Sequence, residues 1–539
     1  MADIYYVGVD VGTNSVRAAL VRHSGTVVVT HTVPITVYNP KPDFYEQDSE
    51  EIWKAVSQAV KAVTCGIEDK SQIHGLGFDA TCSLVVLDKD LRPVTICPVT
   101  GDDRFNIVMW MDHRAKEQAD FINSQEHYVL KYVGGKVSLE MQTPKLLWLK
   151  KNMKNTWARA GHFIDLPDFL TLKATGQFSR SLCSLVCKWT YTSDGRTQGW
   201  DSGFFKTIGL EDLADDDSHK IGKTVMAPGT NCGKISATAA LELGLSDSTF
   251  VATSIIDAHA GGLALVAAGA KTKQDLIGRL GLICGTSTCH MCVSVDPIFV
   301  PGVWGPYYSA MIPGCWLAEG GQSSTGGLVD HIIKTHPAAN DCPDENVYEW
   351  LEGILEAMAK KHQLNSPTFL AKNLHLYPDF HGNRSPLADP SMVGMICGLT
   401  LASSMQDLAL LYLATLQALV YGTRQIIEQL TASGHNITSV LMCGGLSNSS
   451  LFIHTHADAL GVPVLIPEEQ QSVLLGASML AAAASGDYAD LTAAAIAMAG
   501  EAQVYEPQKD MQRYHNQKYA VFKKMQRDQK EYKHIMSEI

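Results

Sequence analysis

The sequence predicts an α/β protein built from two related domains, and three observations carry that prediction. The chain has 539 residues, more than a single apolar core organises, so at least two domains are expected. Strand-like runs closed by glycine turns are interspersed with amphipathic helical stretches. A segment reading strand, Gly-Thr turn, strand occurs twice, at Val9-Asp-Val-Gly-Thr-Asn-Ser15 and at Leu282-Ile-Cys-Gly-Thr-Ser-Thr288. A repeat with so long a period is no solenoid. It implies two related units, each offering a turn of the same chemistry to a shared cleft.

Composition narrows the function classes. With 46% hydrophobic and 18% charged residues the chain reads as an ordinary soluble protein. A net charge of −13 argues against a nucleic-acid partner, which needs a basic face. It leaves phosphate ligands open, because backbone amides and a metal ion hold those locally. The thirteen cysteines are scattered, mostly in apolar runs. The one Cys-x-x-Cys, Cys289 to Cys292, has no second pair to complete a zinc site. They are expected to be free thiols in a reducing compartment. The N-terminus lacks the features of a signal peptide and no apolar run is long enough to span a bilayer, so a cytoplasmic protein is expected.

Tyr5 to Val21 reads as two strands around Gly12, with Thr13, Asn14 and Ser15 supplying hydroxyl, amide and backbone donors to phosphate oxygens. Asp10, just before the turn, suits a hydrated Mg²⁺, which keeps most of its waters. A plain hairpin with polar turn residues fits the same sequence. Ser49 caps an expected helix to about Thr64. Ile73 to Val86 is strand, small-residue turn, strand, exposing Asp79, Thr81 and Cys82 at a sheet end, where α/β proteins bind ligands. Trp110-Met-Asp112-His-Arg114 is either a pocket loop or an Asp–Arg pair pinning a helix start. Phe163 to Leu170 runs from a strand into a capped helix. Lys188 sits in the apolar run Leu182 to Trp189, either partnered or snorkelling to solvent.

Asp257 stands between the apolar run Phe250 to Ile256 and the small-residue segment Ala258 to Gly262. A carboxylate there is a helix N-cap or a general base aimed at a substrate hydroxyl. The matching turns on either side favour the base. Further on, a long helix is expected from about Met405 to Leu430. Val440 to Ser449 reads as strand, Gly444-Gly445 turn and helix start. Its paired glycines would let backbone approach a flat ligand; a capped helix explains them equally. The region after Gln503, with Tyr514, Tyr519, Phe522, Met525 and Tyr532, reads as a terminal helix with a solvated basic face. Its short run and the overall acidity argue against membrane attachment.

Together these motifs resemble the FGGY carbohydrate kinases, which share the ribonuclease-H-like fold of actin, hexokinase and the 70-kDa chaperones. The resemblance spans about residues 5 to 535. It rests on Asp10-x-Gly-Thr, Trp110-x-Asp-x-Arg114, Asp257-Ala-His-Ala, Glu319-Gly-Gly-Gln-Ser, Gly285-Thr-Ser, Asn383-Arg-Ser-Pro and Gly444-Gly. Each motif is common alone; their joint order is not. Phe78-Asp-Ala-Thr-Cys-Ser, Trp304-Gly-Pro-Tyr and Asp257-Ala-His-Ala are similar to ribulokinases in particular.

The resemblance implies two such domains flanking a deep cleft. Residues 1–262 would carry the sugar site, the base and the first phosphate turn, and residues 263–505 the nucleotide site, with 506–539 a helical tail. Asp257 would take the proton of a sugar's terminal hydroxyl, and Asp10 would hold Mg²⁺ through water. Gly12, Thr13, Asn14, Ser15 and Arg17 would grip ATP phosphates from one side, and Gly285, Thr286 and Ser287 from the other. Gly326, Gly444 and Gly445 would line the nucleoside, with the adenine-side hydrogen bond divided between Asn448 and Ser449. Asp79, Thr81, Cys82, Lys188, Asp257 and Glu319 would contact a ketopentose. The implied reaction is ATP-dependent phosphorylation of D-ribulose, with L-ribulose, xylulose and ribitol as alternative substrates. The implied ligands are the sugar, ATP and Mg²⁺, and a homodimer is left open. A non-catalytic actin-like ATP-binding protein is the competing class.

Overall fold

The computed structural model describes residues 3–214 and 219–537; the outermost residues of the expected first domain and tail, 1–2 and 538–539, lie outside them. The first sheet runs, edge to edge, Val27–Pro34, Ser15–Arg22, Tyr5–Val11, Ile73–Ala80, Phe250–Ala252 and Asn231–Lys234, with Ile255–Ile256 also on Ile73–Ala80. Its first three strands are an antiparallel meander, and Ile73–Ala80 then pairs parallel to Tyr5–Val11. The second sheet repeats the order. Trp316–Gln322, Thr288–Ser294 and Arg279–Cys284 form the meander, and Ser439–Gly444 and Val464–Pro467 add in parallel. The two expected Gly-Thr turns thus join equivalent strands of two look-alike domains.

Local chemistry explains the helices that flank the sheets. The helix Ser49–Thr64 buries Ile52, Val56, Ala59, Val60 and Val63 at helical spacing. Its cap is Asp48, whose carboxylate accepts from the amides of Glu50 and Glu51, and not Ser49. Aspartate at that position satisfies two orphan donors at once. The helix expected from Met405 runs to Ala432, with Ser404 and Asp407 forming a reciprocal capping box. The C-terminal helix Gln512–Ser537 lies against the body through Tyr519, Phe522 and Met525, beside Tyr421 and Tyr377. Its Lys518 ammonium donates to the carbonyls of Ala371 and Leu374 at 2.8 and 2.6 Å.

Two helices exchange sides at the centre. Asp257–Ala267 begins at the end of the first sheet and packs on Arg279–Cys284 of the second. The residue 262/263 division falls inside this helix. Ser472–Ser485, which follows the second sheet, instead covers Tyr5–Val11 and Ile73–Ala80 of the first. The two helices cross at backbone contact. A Cβ on Gly476 would stand 2.1 Å from the carbonyl oxygen of Ala260, and one on Gly77 would stand 2.0 Å from that of Ala477. Neither neighbour is a side chain that can turn away.

Gly476→Ala is therefore expected to force the helices apart at an overpacking cost of ~1–3 kcal/mol. The expected outcome is a melting temperature lower by several degrees together with lower turnover, because the displaced helix begins at Asp257. Thermal denaturation and steady-state kinetics of the variant check it.

Candidate active site

Strand register brings three carboxylates to one place. Asp10 pairs with Asp79 across parallel strands, Ile255 pairs with Asp79, and Asp257 follows Ile256 directly. All three lie at the carboxyl ends of adjacent strands, the position where open α/β sheets bind ligands. The guanidinium of Arg17 covers Asp10, with its Nε donating at 2.7 Å. Asp79 is fully buried and no donor reaches either of its oxygens. Burial first, and then the adjacent Asp10 and Asp257, hold it well above the usual carboxylate range. The protonated form of Asp79 is therefore favoured there.

Asp257 is the first residue of its helix; Ile256 occupies the cap position and no side chain caps this end. The carboxylate accepts only from the neighbouring amide of Ala258, at 2.7 Å. It is half-buried. Burial, and then Asp10, raise its pKa to about 6. A carboxylate free of capping duty, partly exposed and more basic than usual has the properties a general base needs.

The two Gly-Thr turns close alike. The Gly12 amide donates to the Ser15 carbonyl at 3.0 Å, and the Gly285 amide to the Ser287 carbonyl at 2.9 Å. Asn14, Gly285 and Thr286 are exposed at the turn tips. Thr13 is braced from two sides: its carbonyl accepts from Gln47 at 3.0 Å and its hydroxyl from the Trp110 indole at 3.1 Å. The second turn is tied to the helix Gly326–Thr335, since Gly285 accepts from Gly326 at 3.2 Å and Thr286 from Thr325 and Gly327 at 2.8 and 3.1 Å. Gly444, Gly445 and Asn448 are exposed beyond the neighbouring strand. Ser449 is buried: its hydroxyl caps the helix Ser450–Leu460 and meets Glu352 and Tyr412. Its hydrogen-bonding capacity is taken up there, so of the two adenine-side candidates only Asn448 stays at the surface.

On the other side of Asp257 lies a charged cluster in an apolar setting. Lys188 is buried at the end of the helix Leu182–Lys188, 3.5 Å from Glu140 and 4.6 Å from the ring centre of Trp304. Burial alone would lower its pKa, but nearby Cys82, Glu319 and Glu140 more than offset that and raise it. Lys188 is thus a partnered cation and does not snorkel. Glu319 spends one oxygen on Arg384, at 3.0 Å, and sets the other 3.3 Å from Nε2 of His259. Lys188, His259 and Arg384 together outweigh burial and hold Glu319 ionised. Arg384 also stacks on Trp304, 4.5 Å from its ring centre. Cys82 and Thr81 are buried nearby, and burial pushes the Cys82 thiol up to about 12, so it meets a ligand as the neutral thiol.

The structure thus brings together the expected Asp10, Asp79, Asp257 and the first turn, and separately Cys82, Lys188 and Glu319. Sequence reading missed Glu140, which no motif marks. It named His259, Trp304 and Arg384 only within motifs, without roles. In Trp110 to Arg114 the expected Asp–Arg pair is present, with Arg114 buried against Asp112 and Glu46 at 2.7 and 2.9 Å, and the Trp110 indole supports Thr13.

Paired domains of this topology, each with a Gly-Thr turn at the same place in its sheet, define the actin- and hexokinase-like class of sugar kinases. A xylulose kinase structure from Lactobacillus acidophilus superposes with a TM-score of 0.81 over 97% of this chain and 98% of its own, at 19% identity. The N-terminal domain of the FGGY family of carbohydrate kinases matches residues 5–264 and the C-terminal domain residues 280–485. An FGGY carbohydrate kinase domain-containing protein of Homo sapiens is 50% identical over 99% of this chain and 98% of its own length. The D-ribulokinase of Saccharomyces cerevisiae is 41% identical over 90% of this chain and 72% of its own. The chain belongs to the FGGY family of carbohydrate kinases, enzymes that transfer phosphate from ATP to a small sugar. Among the described residues no helix is long and apolar enough to cross a membrane.

Trp110→Phe keeps the ring but removes the hydrogen bond to Thr13. Loss of one such bond, ~1 kcal/mol, is expected to raise KM for ATP about 5-fold while kcat changes less. Initial-rate kinetics with varied ATP check this.

Proposed function

We propose that this kinase phosphorylates the terminal hydroxyl of a ketopentose, converting D-ribulose to D-ribulose 5-phosphate. The observation that carries the reading is Asp257, a half-buried carboxylate of raised pKa that caps nothing and stands between the Gly-Thr turn region and the Lys188–Glu319 cluster. The substrate assignment is supported by the 41% identity to a D-ribulokinase.

In this mechanism Asp257 accepts the hydroxyl proton as the sugar oxygen attacks the γ-phosphorus in line. The bond from that phosphorus to the bridging oxygen breaks and ADP leaves. Such transfer depends mainly on positioning and charge neutralisation. Thr13, Asn14 and Ser15 orient phosphates from one side and Gly285, Thr286 and Ser287 from the other. Arg17 sits close enough to Asp10 to release it and turn to a phosphate. The buried Asp10 carboxylate fits a hard, hydrated cation and would hold Mg²⁺ through water. When bound, the ion would supply charge neutralisation for the phosphates. Lys188 and Cys82 present donors to sugar oxygens, and Trp304 offers an apolar wall. Glu319 acts through its partners, holding Arg384 and His259.

Asp257→Asn is expected to bind ATP almost normally while turnover falls by ~10²-fold or more, the scale of a lost general base. ADP release measured for wild type and variant across D-ribulose, L-ribulose, xylulose, ribitol and glycerol tests both parts. D-ribulose should give the highest kcat/KM. A variant with near-normal turnover removes the assigned base, and a strong preference for another acceptor removes the assigned substrate.

A further inference from the structure

Behind the sugar-side cluster lie two cysteines that phosphoryl transfer does not use, beside a histidine that the cluster holds. Cys183 and Cys187 are one turn apart on the helix Leu182–Lys188 and face the same way. His259 reaches them from the helix that Asp257 begins, with Nδ1 3.4 Å from the Cys183 sulfur. All three residues are buried, and the two sulfurs and one ring nitrogen lie within 4.8 Å of one another. A tetrahedral zinc ion, with Zn–S of about 2.3 Å and Zn–N of about 2.0–2.1 Å, separates such ligand atoms by ~3.5–3.8 Å.

We propose that Cys183, Cys187 and His259 form a three-ligand site for a thiophilic divalent cation, with Zn²⁺ the natural probe. Two further observations point to a ligand. His259 Nε2 faces Glu319 at 3.3 Å, and Glu319 is itself held by Arg384 at 3.0 Å. Neither that Nε2 nor the facing Glu319 oxygen has a hydrogen-bond partner; a hydrogen bond formed across this gap would give the carboxylate–histidine pair that orients metal-bound imidazoles, leaving Nδ1 as the coordinating nitrogen. The Tyr307 hydroxyl, with Cys187 among the groups around it, is fully buried and has no hydrogen-bond partner. It would accept a hydrogen bond from a water in the fourth position. Two thiols packed quietly around a histidine would need neither feature.

The site joins elements from both sides of the molecule. Its cysteines precede Lys188, its histidine lies two residues after Asp257 on the same helix, and Glu319 belongs to the second sheet. A bound cation would fix these three relative to one another without touching the nucleotide. The inference does not rest on which sugar is used.

The test uses the full chain, reduced and freed of metal by chelation, without nucleotide. Titration with Co²⁺ should give a thiolate-to-cobalt charge-transfer band that saturates at one equivalent, and Zn²⁺ should displace it with a Kd on the order of 1 μM or tighter. The band should be lost in Cys183→Ser and Cys187→Ser and kept in a Cys65→Ser/Cys397→Ser control, which removes the exposed thiols. X-ray absorption of the zinc-loaded wild type needs no variant to fold. Two sulfur neighbours and one nitrogen support the site. A shell without sulfur, or an undiminished band in both serine variants, overturns it.

Discussion

The crossing of Asp257–Ala267 with Ser472–Ser485 is the constraint on which the rest depends. Each helix leaves its own sheet and covers the other domain's strands, so the two domains share one packing problem. Backbone meets backbone at Gly476 and Ala260, and no rotamer can absorb an error there. Because Asp257 is the first residue of one of these helices, its position is set by that contact. Precision at the reacting oxygen is therefore inherited from packing far behind it.

The second constraint is electrostatic. Asp10, Asp79 and Asp257 would repel one another strongly if all were ionised at the end of a buried sheet. The fold resolves this unequally: Arg17 pairs with Asp10, Asp79 keeps its proton, and Asp257 is left with one amide for company. Three identical side chains thus acquire three different characters from their surroundings. The sugar side shows the opposite balance, where Lys188, Arg384 and His259 keep Glu319 ionised despite burial.

How much of this was legible depends on whether the signal is local. The repeated Gly-Thr turns announced the duplicated domain, because strand periodicity and turn chemistry are local properties. Asp10 and Asp257 were legible for the same reason: each adjoins an apolar strand. Glu140 was not, since it stands in a loop and gains its meaning only from Lys188, distant in sequence. Ser49 lost the cap to Asp48 because two favoured capping residues in a row leave the choice to backbone geometry. Ser449 looked like a ligand residue and is a cap, because Glu352 and Tyr412 arrive from helices that no local pattern connects to it.

Residues that seemed to belong to the substrate are, in several cases, one step removed from it. Glu319 has one oxygen bonded to Arg384 and the other facing His259 at 3.3 Å without a hydrogen bond, so its nearest neighbours are protein groups. A buried, ionised carboxylate is costly unless fully paired, and that cost explains why its partners are themselves fixed, Arg384 by stacking on Trp304 and His259 by Cys183. Trp304 in turn lies under Lys188. Cation, ring, guanidinium, carboxylate and imidazole therefore form one continuous chain from the expected sugar contacts to the helix of Asp257. In the proposed reaction, recognition of the sugar and placement of the base would be coupled through that chain, by contacts that belong to neither alone.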